Sequence, residues 1–155
     1  MKRILSIAGL TLAFTGTASA ADLGFTYDLS NVLAPTAGAT TMGASYYLDD
    51  STEIPVGIDM SVADGFALNN VSLGYWKHGG GVDEMHAMMG ANVNISDVTG
   101  DLGLGLNCGI GFQAPISFFD GAAVRAVTGL DVGVTGGFSV QSVSSNLMLH
   151  YRFGM

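Results

Sequence analysis

Eight ionisable side chains in this sequence could take part in chemistry, because their spacing places them on the polar face of alternating, strand-like segments. They are four carboxylates, two guanidinium groups and two imidazoles: Asp28, Asp59, Glu84, Asp131, Arg125, Arg152, His86 and His150. Charges enclosed in a narrow interior must pair or form hydrogen bonds. We therefore expect a structural network of ion pairs and hydrogen bonds. The surplus of carboxylates leaves a cation site or a narrow cation path as an alternative.

Other chemistry has less support in the spacing of these residues. Glu84 and His86 lie two residues apart and could hold a metal ion, but only His150 is placed to add a third ligand. His78 stands directly before Gly79, so we expect a solvated turn residue there. The sequence therefore predicts no catalytic residue, no cofactor and no resident metal.

The composition shows which kind of element must position these side chains. The 155 residues are 48% hydrophobic and only 12% charged, whereas soluble domains carry about a quarter charged residues. No stretch after the N-terminus reaches the roughly 18 to 20 apolar residues of a spanning helix. The single cysteine, Cys108, excludes an internal disulfide and a cysteine-rich zinc site. The apolar residues must therefore be distributed along the chain with a regular spacing, because they do not form one continuous stretch.

The N-terminus has the pattern of a secretory signal peptide. Residues 1–3 are a basic region, residues 4–14 are apolar, and Ala18-Ser19-Ala20 is a cleavage motif. We predict a signal peptide over 1–20, cleaved after Ala20, and one domain over 21–155. The mature chain carries three strong cations and thirteen carboxylates, so its net charge is −10. Because this charge repels phosphate, we exclude nucleic acid as a partner.

In eight segments of the mature chain, apolar residues occupy every second position. We call this set of alternate positions, which would lie on one face of a strand, the apolar parity, and the set between them the polar parity. The segments begin near Leu23, Met42, Ile54, Val71, Met85, Leu102, Val124 and Leu147. Short connections rich in glycine, aspartate and proline join them, as in an antiparallel meander. The predicted fold class is all-β: an eight-stranded antiparallel up-and-down transmembrane β-barrel.

The polar parity indicates which face lies inside. In the sixth segment, Gly103, Gly105, Gly109 and Gly111 alternate with leucine and other apolar residues. Glycines on a water-facing wall would stabilise nothing, whereas inside an eight-stranded barrel they make room for bulky groups such as Trp76. The apolar parity would then face lipid. The alternative is a secreted or periplasmic soluble barrel, with the apolar parity inside, that binds a small apolar ligand.

The last segment continues its alternation to the end of the chain, through Leu149, Tyr151, Phe153 and Met155. It resembles the final strand of outer-membrane barrel proteins, which usually closes on phenylalanine and is read by the barrel-assembly machinery. Met155 departs from that pattern. As a whole, the mature chain resembles the small opacity-type and OmpX-like surface proteins, and loosely the YfaZ-type family.

The resemblance implies an integral outer-membrane protein of a Gram-negative bacterium, a monomer with a filled lumen and no large pore. Its partners would be outer-membrane lipid and, during biogenesis, the assembly machinery. We expect a structural or surface-interaction role, because the predicted exterior loops, at about residues 30–39, 64–70, 96–100 and 136–145, are short for an adhesin. Some barrels of this kind hydrolyse lipid with Ser, His and an acid. His150 lacks the His-x-Ser arrangement that this chemistry would imply, so we predict no enzyme.

Overall fold

Each of the eight alternating segments forms a β-strand in the computed structural model, which describes residues 23–29, 39–61, 67–81, 84–96, 103–135 and 138–153. The strands are β1 (Leu23–Asp28), β2 (Ala39–Asp49), β3 (Thr52–Ser61), β4 (Ala67–His78), β5 (His86–Ser96), β6 (Gly103–Pro115), β7 (Ala122–Gly133) and β8 (Ser139–Arg152). Consecutive strands pair antiparallel, and β1 also pairs with β8, so the sheet closes into a barrel. The predicted all-β, eight-stranded up-and-down fold is confirmed.

The barrel has two distinct ends. The terminal end holds the start of β1, the end of β8 and the connections after β2, β4 and β6. The connection after β2 is a tight turn in which the Asp49 carboxylate accepts hydrogen bonds from the backbone and side chain of Ser51, both 2.7 Å long. The opposite end is the loop end, where the connections after β1, β3, β5 and β7 lie. No helix in the described ranges is long and apolar enough to cross a membrane.

The apolar parity faces outward on the barrel wall. Along β6, Leu104 is 48% exposed and Ile110 is 63% exposed, while the glycines between them face the interior. In the described part of the chain, twenty large hydrophobic side chains are exposed and only five hydrophobic residues are buried. The interior is therefore polar and the outer wall is apolar.

The glycines of the inner face provide space for one large side chain in particular. A methyl group added at Gly90 would lie 2.5 Å from the Trp76 indole, and one added at Gly109 would lie 3.2 Å from the same ring. Gly90 and Gly109 are register partners, so they form a continuous thin wall under the tryptophan. The expectation that glycines make room for Trp76 is confirmed.

The connections at the loop end are shorter than the sequence predicts. Strands β2, β4 and β8 begin at Ala39, Ala67 and Ser139, inside the segments expected to be loops. Strand pairing continues there because backbone hydrogen bonds do not require apolar side chains, as Gly133 opposite Ser139 shows. The predicted signal peptide and most of the predicted loop residues lie outside the described ranges.

Candidate functional site

Seven lumen-facing side chains fill the terminal half of the barrel and form what we term the plug. They come from the seven strands β2 to β8 in order: Tyr47, Glu53, His78, His86, Gln113, Arg125 and His150. All seven are buried, although six of them are polar or ionisable and the seventh, tyrosine, carries a hydroxyl. Alternation along each strand places these residues inward, and their position at the terminal end of each strand places them at one level.

An ion pair lies at the centre of the plug. Arg125 Nη1 donates to Glu53 Oε1 over 2.9 Å, and both side chains are buried. The other guanidinium nitrogens donate to Gln113 Oε1 over 2.6 Å and to Tyr47 Oη over 2.7 Å. Ser45 Oγ donates to the same carboxylate oxygen that receives Arg125. Every charged group of this centre is therefore hydrogen-bonded, as burial of charge requires.

His150 extends the network toward β1. Its Nε2 lies 2.6 Å from Tyr47 Oη, and its Nδ1 lies 2.9 Å from Thr26 Oγ1. Tyr47 Oη also accepts a hydrogen bond from Arg125 Nη2, so it joins His150 to the central ion pair. His150 is a fully buried member of the plug, with 0% exposure, and each of its ring nitrogens lies within hydrogen-bond distance of a hydroxyl group.

A second branch of hydrogen bonds runs from Glu53 to the connection between β4 and β5. His78 Nε2 lies 2.7 Å from Glu53 Oε2, and His78 Nδ1 lies 3.0 Å from His86 Nε2. His86 Nδ1 lies 2.9 Å from the backbone carbonyl oxygen of Glu84. The two imidazole rings meet edge to face, 5.2 Å apart. The plug is thereby tied to the exposed connection that leads into β5.

Arg152 covers the plug at the terminal end. Its guanidinium carbon lies 4.2 Å from the centre of the Tyr47 ring, and its Nη2 lies 3.2 Å from Asp50 Oδ1. Asp50 is exposed, so this ion pair contributes little by itself. The cation–π contact places the charge directly over the plug.

The loop half of the lumen contains a cavity of about 340 Å³, bounded below by Trp76, Met88 and the central ion pair. Its walls combine apolar side chains, such as those of Val56, Val127 and Met148, with carboxylate, amide and hydroxyl groups. Three aspartates are among the acidic and polar residues: Asp28, Asp59 and Asp131. Asp59 accepts a hydrogen bond from Thr41. The expectation of a filled lumen therefore describes the terminal half, while the loop half holds an acidic cavity.

The structure separates the predicted network residues into these two groups. Arg125, His86 and His150 lie in the plug and Arg152 covers it, whereas Asp28, Asp59 and Asp131 line the cavity. The placement of Glu84 differs from the prediction, since its side chain is exposed and β5 begins only at His86. Alternation had placed Glu84 inside, but the inward parity applies only where the strand exists.

Three plug residues were missed or misread from the sequence. His78 was expected to be solvated, yet it is buried and bonded to Glu53 and His86. Glu53 and Gln113 share the inward parity of Asp59 and Gly111, and extending that parity along each strand would have identified them.

The residues of the predicted assembly signal lie on the outward face near the terminal end. Leu149 and Phe153 are exposed. Tyr151 packs against Phe153 with ring centres 4.9 Å apart and against Phe119 with ring centres 5.7 Å apart. Met155 lies outside the described residues. Recognition of this strand by an assembly machinery stays a prediction.

The described side chains offer no grouping of three or more His, Cys, Asp or Glu residues that could hold a metal ion. No family model, curated protein or solved structure matches the chain. The geometry alone defines its class: a closed eight-stranded antiparallel barrel with an apolar outer wall, a hydrogen-bonded plug at one end and an acidic cavity at the other.

Proposed function

We propose that this chain is an integral outer-membrane protein of a Gram-negative bacterium, a plugged barrel with a structural or surface-interaction role. The observation that carries the proposal is the apolar outer wall. Soluble monomers rarely expose contiguous apolar patches larger than a few hundred Å². Here exposed apolar side chains follow one another along β4, β5 and β6, and Tyr75, Met89 and Ile110 are all more than half exposed. A hydrocarbon environment is the solvent that such a wall fits.

The aromatic residues at the terminal end support the same environment. Phe119, Tyr151 and Phe153 form one packed row on the outer surface, and Phe118 beside them is 90% exposed. Aromatic rings are enriched where hydrocarbon meets headgroups. Lys77 lies outward near the same end, with its ammonium group bonded to Thr52 Oγ1, so its charge can reach the headgroup level.

The alternative of a soluble barrel that binds a small apolar ligand fits the geometry poorly. That protein would enclose its apolar parity, whereas the cavity of this barrel has three aspartates and five asparagines among its lining residues, beside apolar ones such as Val56 and Val127. If this barrel were soluble, its exposed outward leucines and isoleucines would face water.

Closure of the lumen favours a structural role over steady conduction. An ion that entered the acidic cavity would meet the Glu53–Arg125 pair, which is held from four sides by Ser45, Gln113, Tyr47 and His78. A narrow cation-favouring channel remains the second candidate because the cavity walls carry three aspartates. Recordings in planar lipid bilayers separate the two candidates. We expect no steady large conductance, and a steady cation-selective current would support the channel instead.

Two measurements test the membrane assignment. The folded barrel should migrate differently in detergent gels before and after boiling, and it should remain with the outer-membrane fraction when cells are osmotically shocked. The boiled sample is the matched control for the first measurement. Identical migration, together with release into the osmotic-shock fluid, would contradict the proposal and favour the soluble alternative.

A further inference from the structure

Two imidazoles of the plug connect its central ion pair to the surface. His78 and His86 form a chain of three hydrogen bonds that begins at Glu53 Oε2 and ends at the Glu84 carbonyl oxygen, with lengths of 2.7, 3.0 and 2.9 Å. Both ends of the chain are oxygen acceptors. The outer nitrogens of the pair, His78 Nε2 and His86 Nδ1, must therefore each carry a hydrogen.

The central hydrogen bond requires one hydrogen more. A nitrogen of one ring must donate to the facing nitrogen of the other, because two lone pairs 3.0 Å apart would repel. Three hydrogen bonds thus need three N–H groups on two imidazoles, and two neutral imidazoles carry only two. With all three hydrogen bonds formed, the pair requires one additional proton, which gives it a charge of +1.

The proton resides on the imidazoles because Glu53 is held as a carboxylate. Arg125 Nη1 donates to its Oε1 over 2.9 Å, and Ser45 Oγ donates to the same oxygen. Because these two donors stabilise the ionised form of Glu53, its second oxygen, Oε2, carries no proton and accepts a hydrogen bond. His78 Nε2 is the donor of that hydrogen bond.

The groups that face the pair come from every strand that supplies the plug. Glu53 from β3 is negative and Arg125 from β7 is positive, so these two compensate each other. Tyr47 from β2 lies with its ring centre 6.2 Å from that of His78. The same ring centre lies 5.9 Å from that of His150 and 4.2 Å from the guanidinium carbon of Arg152, both from β8. Gln113 from β6 is the register partner of His86 and is uncharged. Glu84 has an exposed side chain beside the pair.

We propose that His78 and His86 bind a single proton in common, and that this proton fastens the Glu84 backbone, directly before β5, to the plug. Loss of the proton leaves two N–H groups for three hydrogen bonds, so one bond of the chain must break. His86 is then released either from His78 or from the Glu84 carbonyl oxygen. The device is a pH-sensitive latch at the terminal end, closed below its titration midpoint and open above it.

Nitrogen NMR of the imidazoles in the folded full-length chain tests the proton count. The sequence contains three histidines, so single substitutions assign every resonance. Over the pH range in which the barrel stays folded, we expect the nitrogen resonances of His78 and His86 to change together, with one midpoint and one proton released by the pair. Two independent midpoints, or no titration of either ring in this range, would overturn the proposal. The proton count does not depend on membrane location, so the same spectra are recorded in detergent micelles or, for a soluble chain, in buffer.

Amide hydrogen exchange tests the latch itself. Gly79 N–H donates to the Ala87 carbonyl oxygen of β5 over 2.9 Å, and Glu84 N–H donates to the Gly81 carbonyl oxygen over 3.1 Å. After correction for the pH dependence of intrinsic exchange, we expect their protection to fall about fivefold above the midpoint, the factor that one net hydrogen bond supplies. Ala122 N–H, bonded over 3.0 Å in the connection after β6, is the internal control and should show no step.

The variant His86→Asn separates the proton from the contact. Its amide nitrogen takes the place of Nδ1 and can donate to the Glu84 carbonyl oxygen, but it binds no proton in this range. We expect protection at Gly79 to lose its pH step in this variant. A step of unchanged size and midpoint would show that another group drives the opening and would overturn the latch.

Discussion

Ile110→Arg is the substitution that most directly tests which solvent the outer wall meets. Ile110 lies in the central part of β6, between its register partners Met89 and Thr128, and is 63% exposed. An arginine on the lipid face of a barrel costs about 2–4 kcal/mol at the bilayer midplane and about 0–1 kcal/mol near the interface. The folding equilibrium in lipid should therefore fall about 30- to 700-fold, since about 1.4 kcal/mol corresponds to a factor of ten.

The assay is a denaturant titration of the barrel in phospholipid bilayers, followed by the fluorescence of Trp76. This residue is the only tryptophan of the sequence, and it is 4% exposed inside the lumen, so its emission reports folding. Leu104→Arg is the matched control because Leu104 shares the strand and the outward face but lies second in β6, near the loop end. Ile110→Met controls for shape and should change the free energy of unfolding by less than about 1.5 kcal/mol.

A wall that faces water predicts a different result. On a wall that faces water, Ile110→Arg would replace an exposed apolar group with a charged one and leave the free energy of unfolding within about 0.5 kcal/mol of the wild type. Equal, small effects at Ile110 and Leu104, in a chain that also folds without lipid or detergent, would refute the orientation of the wall toward hydrocarbon.

Two further substitutions test the interior by the same titration. Glu53→Gln leaves the buried Arg125 guanidinium without its carboxylate, so we expect the free energy of unfolding to fall by about 3–5 kcal/mol. Adding Arg125→Met to the same chain should restore part of this loss. A loss below about 1 kcal/mol would show that the pair is solvated. Gly90→Ala should cost about 1–3 kcal/mol because the new methyl group would lie 2.5 Å from both the Trp76 ring and a backbone oxygen. Gly81→Ala is the control and should be neutral, because nothing lies within 4 Å of its new methyl group. Equal effects of the two substitutions would contradict the packing of the Trp76 indole on the glycine wall.

The period-two alternation predicted most of the fold, because it follows from the backbone itself. Successive side chains of a strand point to opposite faces, so Leu104 and Ile110 had to lie on one side and Gly109 on the other. The choice of which side is inside came from side-chain size, since only glycine leaves room for Trp76 opposite. Closure between β1 and β8 followed from the number of strands and the short connections.

The plug could not be assembled from the sequence in the same way. Parity states which face a residue occupies, but the partners across a barrel depend on strand stagger, which alternation does not contain. Glu53 and Arg125 are 72 positions apart and meet only because β3 and β7 place them at one level. His78 looked like a turn residue beside three glycines, although β4 extends through it. Strand ends, rather than strand centres, were therefore where the prediction failed.

The position of the plug also indicates how this barrel selects its register. Among the described residues, only Tyr47, Trp76, Met88 and two alanines form a buried hydrophobic core. A shift of one residue in any pair would turn that strand's plug side chain outward and bring its apolar parity into the lumen. A shift of β3 or β7 would leave Arg125 or Glu53 buried without its charged partner, and a shift of another plug strand would remove one hydrogen-bonding side chain from the network. The hydrogen-bonded network therefore also penalises a shifted alignment of β2 to β8.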